Sequence, residues 1–366
     1  MNQAVLQLHD LVKTFKKNGE EVHAVKSMDI SINSGEMVCF LGPSGCGKTT
    51  TLRMVAGFET PTSGMITING NDVTNIPVNK RGIGFVFQNY ALFPHLSVAN
   101  NIAYGLRTQH MDETMIKQKI TSSLELVGLP DIGERYPSEL SGGEQQRVAL
   151  ARVIVMEPSL LLMDEPLSNL DAKLRIHMRT EIRHLQKKLG ITCLYVTHDQ
   201  SEALTVADKI VVMSKGEVEQ MGTPFEIYHS PKTSFVADFI GQANIIPSTV
   251  ISSNTQNITA KIFQRHTVTG RRGFGFPQNL KAGSNALLVV RPESIGVGSA
   301  SSGKGVSATV KSAVFLGSHI DYELSVENDD HIINASVDCT PQTTVFRENE
   351  SVYMFWNPDA ALFLAR

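Results

Sequence analysis

A glycine-rich loop constrains the fold of this chain more than any other feature of its sequence. The segment Gly42-Pro-Ser-Gly-Cys-Gly-Lys48-Thr49 has the spacing G-x-x-x-x-G-K-[ST]. It follows the apolar run Glu36–Leu41, which predicts a strand, and it leads into Thr49–Gly57, which predicts a helix. Glycines let backbone amides approach phosphate groups closely, and the N-terminus of the helix points further amides at the same anion. The loop therefore predicts a phosphate-binding site at the edge of an α/β sheet.

Two side chains of this loop have chemistry of their own. The ammonium group of Lys48 can reach the β- and γ-phosphates of ATP, and the hydroxyl group of Thr49 can bind Mg²⁺. The alternative is a chance glycine-rich loop, which the flanking strand and helix argue against. The sequence thus predicts that the chain binds MgATP and hydrolyses it. The residues expected to contact the nucleotide along this segment are Gly42, Pro43, Ser44, Gly45, Cys46, Gly47, Lys48, Thr49 and Thr50.

Two adjacent carboxylates follow another apolar strand. Leu160–Met163 predicts a buried strand, and Asp164 and Glu165 come at its carboxyl end, where ligands lie in open α/β sheets. One acid can hold the water shell of Mg²⁺, and the other can orient the attacking water. The alternative for a lone aspartate is a helix cap, which does not account for the pair.

A second anion-binding helix start is predicted at Ser141-Gly142-Gly143. The same residues also fit an ordinary N-cap in which Glu144 completes a capping box, and the two interpretations are compatible. One chain thus has two phosphate-binding helix starts but one nucleotide loop.

Two single residues follow predicted strands. His198 comes after Thr192–Val196, and Gln88 comes after the apolar residues Phe85-Val-Phe. A lone histidine is often structural, but a position at a strand end favours a catalytic role for His198. Gln88 is unremarkable by itself.

Periodicity divides the chain into two predicted domains. Strands alternating with helices over residues 1–240 predict a mostly parallel sheet covered on both faces, with a helical arm over about residues 89–140. After Gly241, short runs rich in Val, Ile, Thr and Phe alternate with Gly, Asn and Ser clusters. This texture predicts a separate all-β domain over residues 241–366, formed by a small barrel.

Composition excludes several classes of protein. The formal net charge is -3, and no basic stripe is present, so a nucleic-acid partner is not expected. The four cysteines form no CxxC pair, which argues for reduced thiols and against a disulfide framework or a zinc site. Because no apolar run is long enough to span a bilayer, any membrane role is expected to come through a partner.

Together these residues resemble the ATP-binding cassette (ABC) ATPase family. The resemblance runs in order through Phe15, the loop at 42–49, Gln88, LSGGEQ at 140–145, LLLMDE at 160–165, SNLD at 168–171 and His198. It implies an α/β P-loop NTPase cassette. Arg291-Pro-Glu293, with Gly317 and Tyr322, is similar to the OB-like accessory domain of importer ATPases that serve sugars, polyamines, ferric iron, sulfate or phosphonates.

The resemblance implies a role for each matching position. Phe15 looks like the aromatic residue that stacks on adenine, Thr49 and Gln88 like Mg²⁺ ligands, and Asp164 like the Mg²⁺-linked acid. Glu165 resembles the general base, and His198 resembles the residue that contacts the γ-phosphate. Ser141, Gly142 and Gly143 look like the signature that closes on ATP held by a second subunit, and Asp171 lies in the loop that crosses that interface.

The family also implies partners. We expect a head-to-tail homodimer that binds membrane permease subunits through the helical arm and serves an extracytoplasmic solute-binding protein indirectly. The subunit is expected to be peripheral, on the cytoplasmic side of the inner membrane. Ferric iron is the expected cargo, with polyamine, 2-aminoethylphosphonate or sugar import as alternatives. A soluble ABC ATPase of translation or DNA repair fits less well, because only one cassette with an arm of ordinary length is present.

Overall fold

The structure, a computed structural model, describes residues 4–17, 19–277, 279–299, 305–327 and 329–365. The chain divides into two compact units, Met1–Pro224 and Phe225–Arg366. The division falls before the predicted boundary at 240/241, which stays a prediction. None of the helices described is both long and apolar enough to cross a membrane.

The first unit contains ten described strands and six described α-helices. The strands are β1 (Ala4–Lys17), β2 (Glu20–Asn33), β3 (Met37–Leu41), β4 (Ser63–Ile68), β5 (Asn71–Asp72), β6 (Ile83–Val86), β7 (Leu160–Asp164), β8 (Thr192–Thr197), β9 (Lys209–Ser214) and β10 (Glu217–Gly222). The helices are α1 (Lys48–Ala56), α2 (Val98–Thr108), α3 (Glu113–Leu126), α4 (Gly142–Ile154), α5 (Ala172–Leu189) and α6 (Gln200–Val206).

These strands form two sheets. One has the order β10-β9-β3-β8-β7-β6, in which every neighbouring pair is parallel except β9 and β10. The other, β2-β1-β4-β5, is antiparallel, and its strands β1 and β2 form an N-terminal hairpin. Each residue of β3 is buried, as expected of a central parallel strand covered on both faces. The prediction of a mostly parallel sheet is confirmed.

The predicted helical arm contains α2 and α3, which pack on α4 through an apolar cluster of their own. The cluster joins Val98, Ile102 and Leu106 of α2 and Leu124 of α3 to Val148 of α4. The Ser97 side chain caps α2, and the Asp112 side chain caps α3. The arm is therefore held to the rest of the unit by the helix that begins at Ser141.

The second unit is formed by two short helices and ten described strands. They are α7 (Pro224–His229), α8 (Ser234–Phe239), β11 (Asn244–Ser253), β12 (Asn257–Ile262), β13 (His266–Arg272), β14 (Asn285–Val290), β15 (Gly296–Ser299), β16 (Val306–Phe315), β17 (His319–Val326), β18 (Ile332–Asp338), β19 (Ser351–Phe355) and β20 (Ala361–Ala365).

The predicted barrel is confirmed, but it is not the whole unit. Strands β11-β12-β13-β20-β14 close a barrel, and β15-β19-β16-β17-β18 form a second, five-stranded sheet. One apolar cluster joins the two, with Leu288 and Phe363 of the barrel packed together with Val310, Leu324 and Met354 of the sheet. The second sheet therefore shares the core of the barrel, and the barrel contains only half of the described strands of this unit.

Candidate active site

The carboxyl ends of three parallel strands lie side by side in the central sheet. Leu41, the last residue of β3, pairs with Thr197 of β8, and Asp164 of β7 pairs with Val196. The chain leaves these ends into the glycine-rich loop, into Glu165 and into His198. Three segments that are far apart in sequence therefore meet at one edge, where ligands bind in open α/β sheets.

The glycine-rich loop requires glycine where its backbone passes closest to neighbouring strands. A Cβ atom at Gly42 would lie 2.3 Å from the carbonyl oxygen of Met213, and one at Gly47 would lie 2.4 Å from that of Ala24. Gly47 also has φ 106°, a left-handed conformation that other residues rarely adopt, and it is the N-cap of α1. These contacts hold the loop against the sheet.

The ammonium group of Lys48 lies inside the loop. It donates hydrogen bonds to the carbonyl oxygens of Gly42 at 2.7 Å and Pro43 at 2.9 Å, and the residue is only 5% exposed. A positive charge is thus held at the start of α1, beside the helix N-terminus that favours an anion. This arrangement suits the binding of phosphate groups.

Thr49 and Asp164 bring two oxygen atoms together. The hydroxyl group of Thr49 donates a hydrogen bond of 3.3 Å to Oδ1 of Asp164. The pKa of the Asp164 carboxyl is raised, chiefly by burial and also by the neighbouring charge of Glu165, although the hydrogen bond from Thr49 lowers it. Hydroxyl and carboxylate oxygens are hard ligands of the type that Mg²⁺ prefers, and a cation here would favour the charged carboxylate. The residues present therefore fit the predicted ion.

Glu165 has an unusual backbone conformation. Its φ is 44°, in the left-handed region, which costs about 1–3 kcal/mol for a residue other than glycine. The backbone N–H of Glu165 donates to the carbonyl oxygen of Val196 at 2.9 Å, and the Ser168 hydroxyl donates to the Glu165 carbonyl oxygen at 2.9 Å. Oε2 of Glu165 lies 3.1 Å from Nδ1 of His198, whose side chain is 58% exposed. The strained turn thus brings the acid to the histidine.

The structure places the signature at the start of α4. The Ser141 hydroxyl accepts a hydrogen bond from the Glu144 amide, and the Glu144 carboxylate accepts bonds from the Ser141 amide and hydroxyl, which completes a capping box. The hydroxyl bond, with the backbone bond, lowers the pKa of Glu144. Gly142 and Gly143 lie against Leu170 and Leu174, 3.1 Å from the positions their Cβ atoms would take. The capping interpretation is therefore confirmed, and Ser141 remains exposed.

The remaining predicted residues lie at three other positions. Asp171 is the N-cap of α5 and accepts a hydrogen bond of 2.9 Å from the Leu174 amide. The carbonyl oxygen of Gln88 accepts one of 2.9 Å from the Asn169 side chain. Phe15 lies on β1, 37% exposed, with Nζ of Lys13 4.7 Å from its ring centroid.

Most of the predicted residues form two groups, and Phe15 and Gln88 lie outside both. Lys48, Thr49, Asp164, Glu165 and His198 lie along one edge of the sheet, connected by the contacts above. The starts of α4 and α5 form the second group, and in the described part of the chain no hydrogen bond or ion pair joins 141–143 to 42–50. The chemical roles of these residues remain predictions.

Sequence reasoning missed residues that hold the loops in place. Arg152 of α4 donates to the carbonyl oxygens of Tyr90 at 3.0 Å and Ala91 at 2.7 Å, two consecutive residues with φ of 61° and 49°. It thereby fixes the turn after Gln88. A cation within the apolar helix face Val148–Val155 is the signal that could have found it.

The turn that Arg152 holds also contains a buried aromatic residue. Within the segment Tyr90-Ala-Leu-Phe-Pro94 of the predicted helical arm, Tyr90 is only 5% exposed. The exposed aromatic side chains lie nearby instead. Phe58 is 43% exposed and Phe87 is 37% exposed, and both rings contact Phe85, with centroids 5.4 and 4.4 Å away.

Two family profiles match the chain. The ABC transporter family profile matches residues 25–168, and the TOBE domain profile matches residues 288–364. The Fe(3+) ions import ATP-binding protein FbpC of Rhizobium etli is 48% identical over 337 residues, which cover 90% of this chain and 92% of that protein. The spermidine/putrescine import ATP-binding protein PotA of Thermobifida fusca is 42% identical over 375 residues, covering 99% and 94%.

Solved structures of ABC proteins match about three fifths of the chain. A dimeric, post-hydrolysis state of the ATP-binding cassette MJ0796 bound to ADP and Pi has a TM-score of 0.54 and 31% identity, covering 60% of this chain and 98% of that one. The cbiO1 protein of Clostridium perfringens, part of the ABC transporter complex cbiONQ, has a TM-score of 0.57 and 30% identity, covering 62% and 91%.

Proposed function

The chain belongs to the ATP-binding subunits of ABC transporters, and on this premise we propose that two copies of it hydrolyse ATP to drive ferric iron through a membrane permease. The observation that carries the proposal is the meeting of Lys48, Thr49, Asp164, Glu165 and His198 at one sheet edge. The resemblance to ABC ATPases implies that ATP is hydrolysed at this edge.

Each residue has a separable role in the proposed reaction. Lys48 and the amides of the loop that begins at Gly42 bind the phosphates, and Phe15 stacks on adenine. Glu165 accepts the proton of the attacking water, and His198, 3.1 Å from the Glu165 carboxylate, orients this acid and contacts the γ-phosphate. Holding base and substrate in one geometry lowers the entropic part of the barrier.

Mg²⁺ would be held by Thr49, Asp164 and Gln88. When bound with ATP, it supplies positive charge that neutralises the phosphate oxygens. The Thr49 hydroxyl and the Asp164 carboxylate are already hydrogen-bonded to each other, so little reorganisation is needed to present both oxygens. The backbone of Gln88 is held by Asn169, which keeps this residue at the end of β6.

The second group of residues acts on the ATP of a partner copy. Ser141 is exposed at the start of α4, and with Gly142 and Gly143 it forms a helix start that suits the γ-phosphate of a nucleotide bound to the other subunit. Asp171 lies beside it at the start of α5. A solved relative that is dimeric and bound to ADP and Pi supports this arrangement. Binding of ATP closes the dimer, and hydrolysis opens it.

The permease is proposed to dock on the aromatic group Phe58, Phe85 and Phe87 and on the adjacent arm. These rings are partly exposed next to Gln88, so a short helix placed there would contact the residue that binds Mg²⁺. The subunit would then lie on the cytoplasmic face of the inner membrane and would serve an extracytoplasmic solute-binding protein through the permease.

Ferric iron is the proposed cargo because several relatives that are 46–48% identical over most of the chain are Fe(3+) import proteins. Polyamine import is the second candidate, since a spermidine/putrescine relative at 42% identity covers 99% of the chain. The chemistry of the site does not separate the two, because the ATPase drives transport without binding the cargo.

Deletion of the gene, followed by uptake measurements, tests the proposal. We expect cells without this chain to lose high-affinity uptake of radiolabelled ferric iron, with spermidine uptake unchanged. The wild-type chain should restore iron uptake. Lys48→Ala should not, because the phosphates lose their main cationic partner. Loss of spermidine uptake with normal iron uptake would favour the polyamine alternative, and restoration by Lys48→Ala would contradict an ATP-driven role.

A further inference from the structure

Hydrogen bonds hold the segments on either side of the pair formed by Glu165 and His198. On one side, the Glu165 carbonyl oxygen accepts hydrogen bonds from the Ser168 amide at 3.2 Å and the Ser168 hydroxyl at 2.9 Å. The turn continues through Leu170 to Asp171, the N-cap of α5. The conformation of Glu165 is therefore coupled to the loop that leads into α5.

On the other side, buried polar groups hold the residue after His198. The Asp199 amide donates to the Thr197 hydroxyl at 3.0 Å, and this hydroxyl donates to Glu202 at 2.7 Å. Glu202 is only 2% exposed and also accepts a bond of 3.0 Å from the Tyr195 hydroxyl. Thr197 and the buried Glu202 thus hold the residues before and after His198 in place.

One side chain connects the two sides. Arg175, in the first turn of α5, donates through one terminal nitrogen to the Leu170 carbonyl oxygen at 3.1 Å. Its other terminal nitrogen donates to the Asp199 carboxylate at 3.5 Å, and its Nε lies 3.9 Å from the Glu202 carboxylate. The guanidinium therefore contacts the loop before α5 and the segment after His198 at the same time.

We propose that Arg175 is a positioning residue that transmits closure of the dimer from the loop containing Leu170 to the segment containing His198. The inference rests on the proposed function, in which Asp171 and the start of α4 meet the partner copy. Gly142 packs on Leu170, so a force on the start of α4 reaches the carbonyl group that Arg175 holds. Movement there changes the position of Asp199 and hence of His198 beside Glu165.

The chemistry requires arginine at this position. Its planar guanidinium presents donors in two directions, so one side chain can bind a carbonyl oxygen and a carboxylate together. A lysine keeps the positive charge near Asp199 and Glu202 but has a single ammonium group. Arg175→Lys therefore keeps the positive charge beside Asp199 and Glu202 but loses the simultaneous contact with Leu170.

Arg179 provides a matched control one turn further along α5. It donates to the Asp199 carboxylate at 2.8 Å and lies 4.0 Å from that of Glu202, so it shares both acidic partners of Arg175. Its described contacts do not include Leu170. Arg179→Lys thus changes the contacts to Asp199 and Glu202 and leaves the bond between Arg175 and Leu170 intact.

The experiment measures the steady-state ATPase activity of the full chain as a function of ATP concentration, together with its thermal unfolding midpoint. For Arg175→Lys we expect kcat to fall about ten- to a hundred-fold, as for a small misplacement of catalytic groups, and the Hill coefficient to fall toward one. The unfolding midpoint and binding of a fluorescent ATP analogue should stay at wild-type values. Arg179→Lys should keep kcat within about twofold and keep the cooperativity, since the bridge is intact.

The outcomes separate this inference from the proposed function. A wild-type chain that hydrolyses ATP without cooperativity and stays monomeric overturns the proposed dimer. A cooperative wild-type chain with an Arg175→Lys variant that retains kcat and cooperativity overturns the role of Arg175 alone. Equal losses in the Arg175 and Arg179 variants, accompanied by lower unfolding midpoints, would assign both arginines to general stability and also overturn the inference.

Discussion

At the scale of single residues, the backbone conformation of Glu165 is the most informative feature of the proposed site. Its left-handed φ of 44° is held by hydrogen bonds to Val196 and Ser168. Strain of this kind persists only where the surrounding structure determines it, and it is frequent at functional sites. Here it directs a carboxylate toward His198 at the end of a buried strand.

Replacement of this carboxylate tests the proposed base. Glu165→Gln should retain ATP binding, because Lys48 and Thr49 are unchanged, but its turnover should fall about 10²–10⁴-fold, the usual contribution of a general base. The variant should accumulate as an ATP-bound dimer. Phosphate release and size-exclusion chromatography with ATP measure the two effects.

Glu157 offers a control in a similar backbone conformation. It has φ 51° and forms an exposed ion pair with Lys119, and it precedes the amino end of β7 while the site lies at the carboxyl end. Glu157→Gln removes a carboxylate of the same kind and should leave turnover unchanged, since exposed ion pairs contribute little. Normal turnover in Glu165→Gln would exclude Glu165 as the base.

At the scale of elements, two helix starts carry the proposed contact with the partner. Ser141 caps α4 and Asp171 caps α5, and Leu170 and Leu174 lie against the glycines that follow Ser141. Capping keeps the first turns of both helices ordered while their outer amides stay available. One residue, Ser141, thus serves the stability of the helix and its proposed anion site.

Two substitutions of Ser141 separate these roles. Ser141→Ala removes the cap and should lower the free energy of unfolding by about 1 kcal/mol, while the backbone amides at the start of α4 still bind the anion and permit ATP-dependent dimerisation. Ser141→Arg removes the same cap and also places a long cationic side chain at the exposed helix start. It should block dimerisation and turnover with ATP binding intact.

Thermal unfolding, light scattering with ATP and binding of a fluorescent ATP analogue measure these properties. Ser141→Arg dimerising with ATP as well as Ser141→Ala does would rule out the proposed site between subunits. Loss of ATP binding in Ser141→Arg would instead place the signature at the ATP of its own chain.

Two strands, β10 and β11, lack the local pattern that predicts a strand. Strand β10, Glu217–Gly222, is an edge strand with few buried side chains, so it lacks the apolar run that predicts a strand. Strand β11 contains Pro247, a residue that argues against a strand. Both form because they pair with a neighbour, β9 for β10 and β14 for β11, and pairing is a long-range property.

At the scale of the whole molecule, the last residues of the first predicted domain, 225–240, pack on the barrel. Ala237 of α8 belongs to an apolar cluster with Val289, Leu362 and Leu364. The buried Arg291 donates to the carbonyl oxygens of Ala237 and Gln242, and burial lowers the pKa of its guanidinium without removing its charge at neutral pH. Residues 225–240 therefore share a core with the tail.

Truncation tests where the cassette ends. A chain of residues 1–240 keeps α8 but loses its barrel partners, which exposes the buried side chains of Val236, Ala237 and Ile240. A chain of residues 1–224 ends at the division between the two units. We expect both to bind ATP, and the shorter one to be more soluble and to unfold at a higher temperature.

Solubility, ATP binding and the unfolding midpoint of the two chains decide the question. Higher solubility of the longer chain would support the boundary at 240/241 that the sequence predicts. Failure of both chains to bind ATP would mean that the first unit requires the tail to fold.

The sequence by itself identified the residues that meet at the edge of the central sheet. The loop from Gly42 to Thr49, the acids Asp164 and Glu165, and His198 are recognisable because each requirement is local: glycines near phosphates, and polar groups at strand ends. The alternation of strands and helices likewise determined a parallel sheet, and this sheet brings the ends together.

Only the tertiary structure decided which residues, distant in sequence, hold the side chains of this site in position. Arg175, Arg152 and Glu202 look like ordinary charged residues of helices in the sequence, and their importance comes from carbonyl oxygens and hydroxyls contributed by other segments. The second sheet of the tail and the attachment of α8 to the barrel are decided in the same way. Such contacts depend on how elements pack, and no local pattern of residues encodes the partner across the fold.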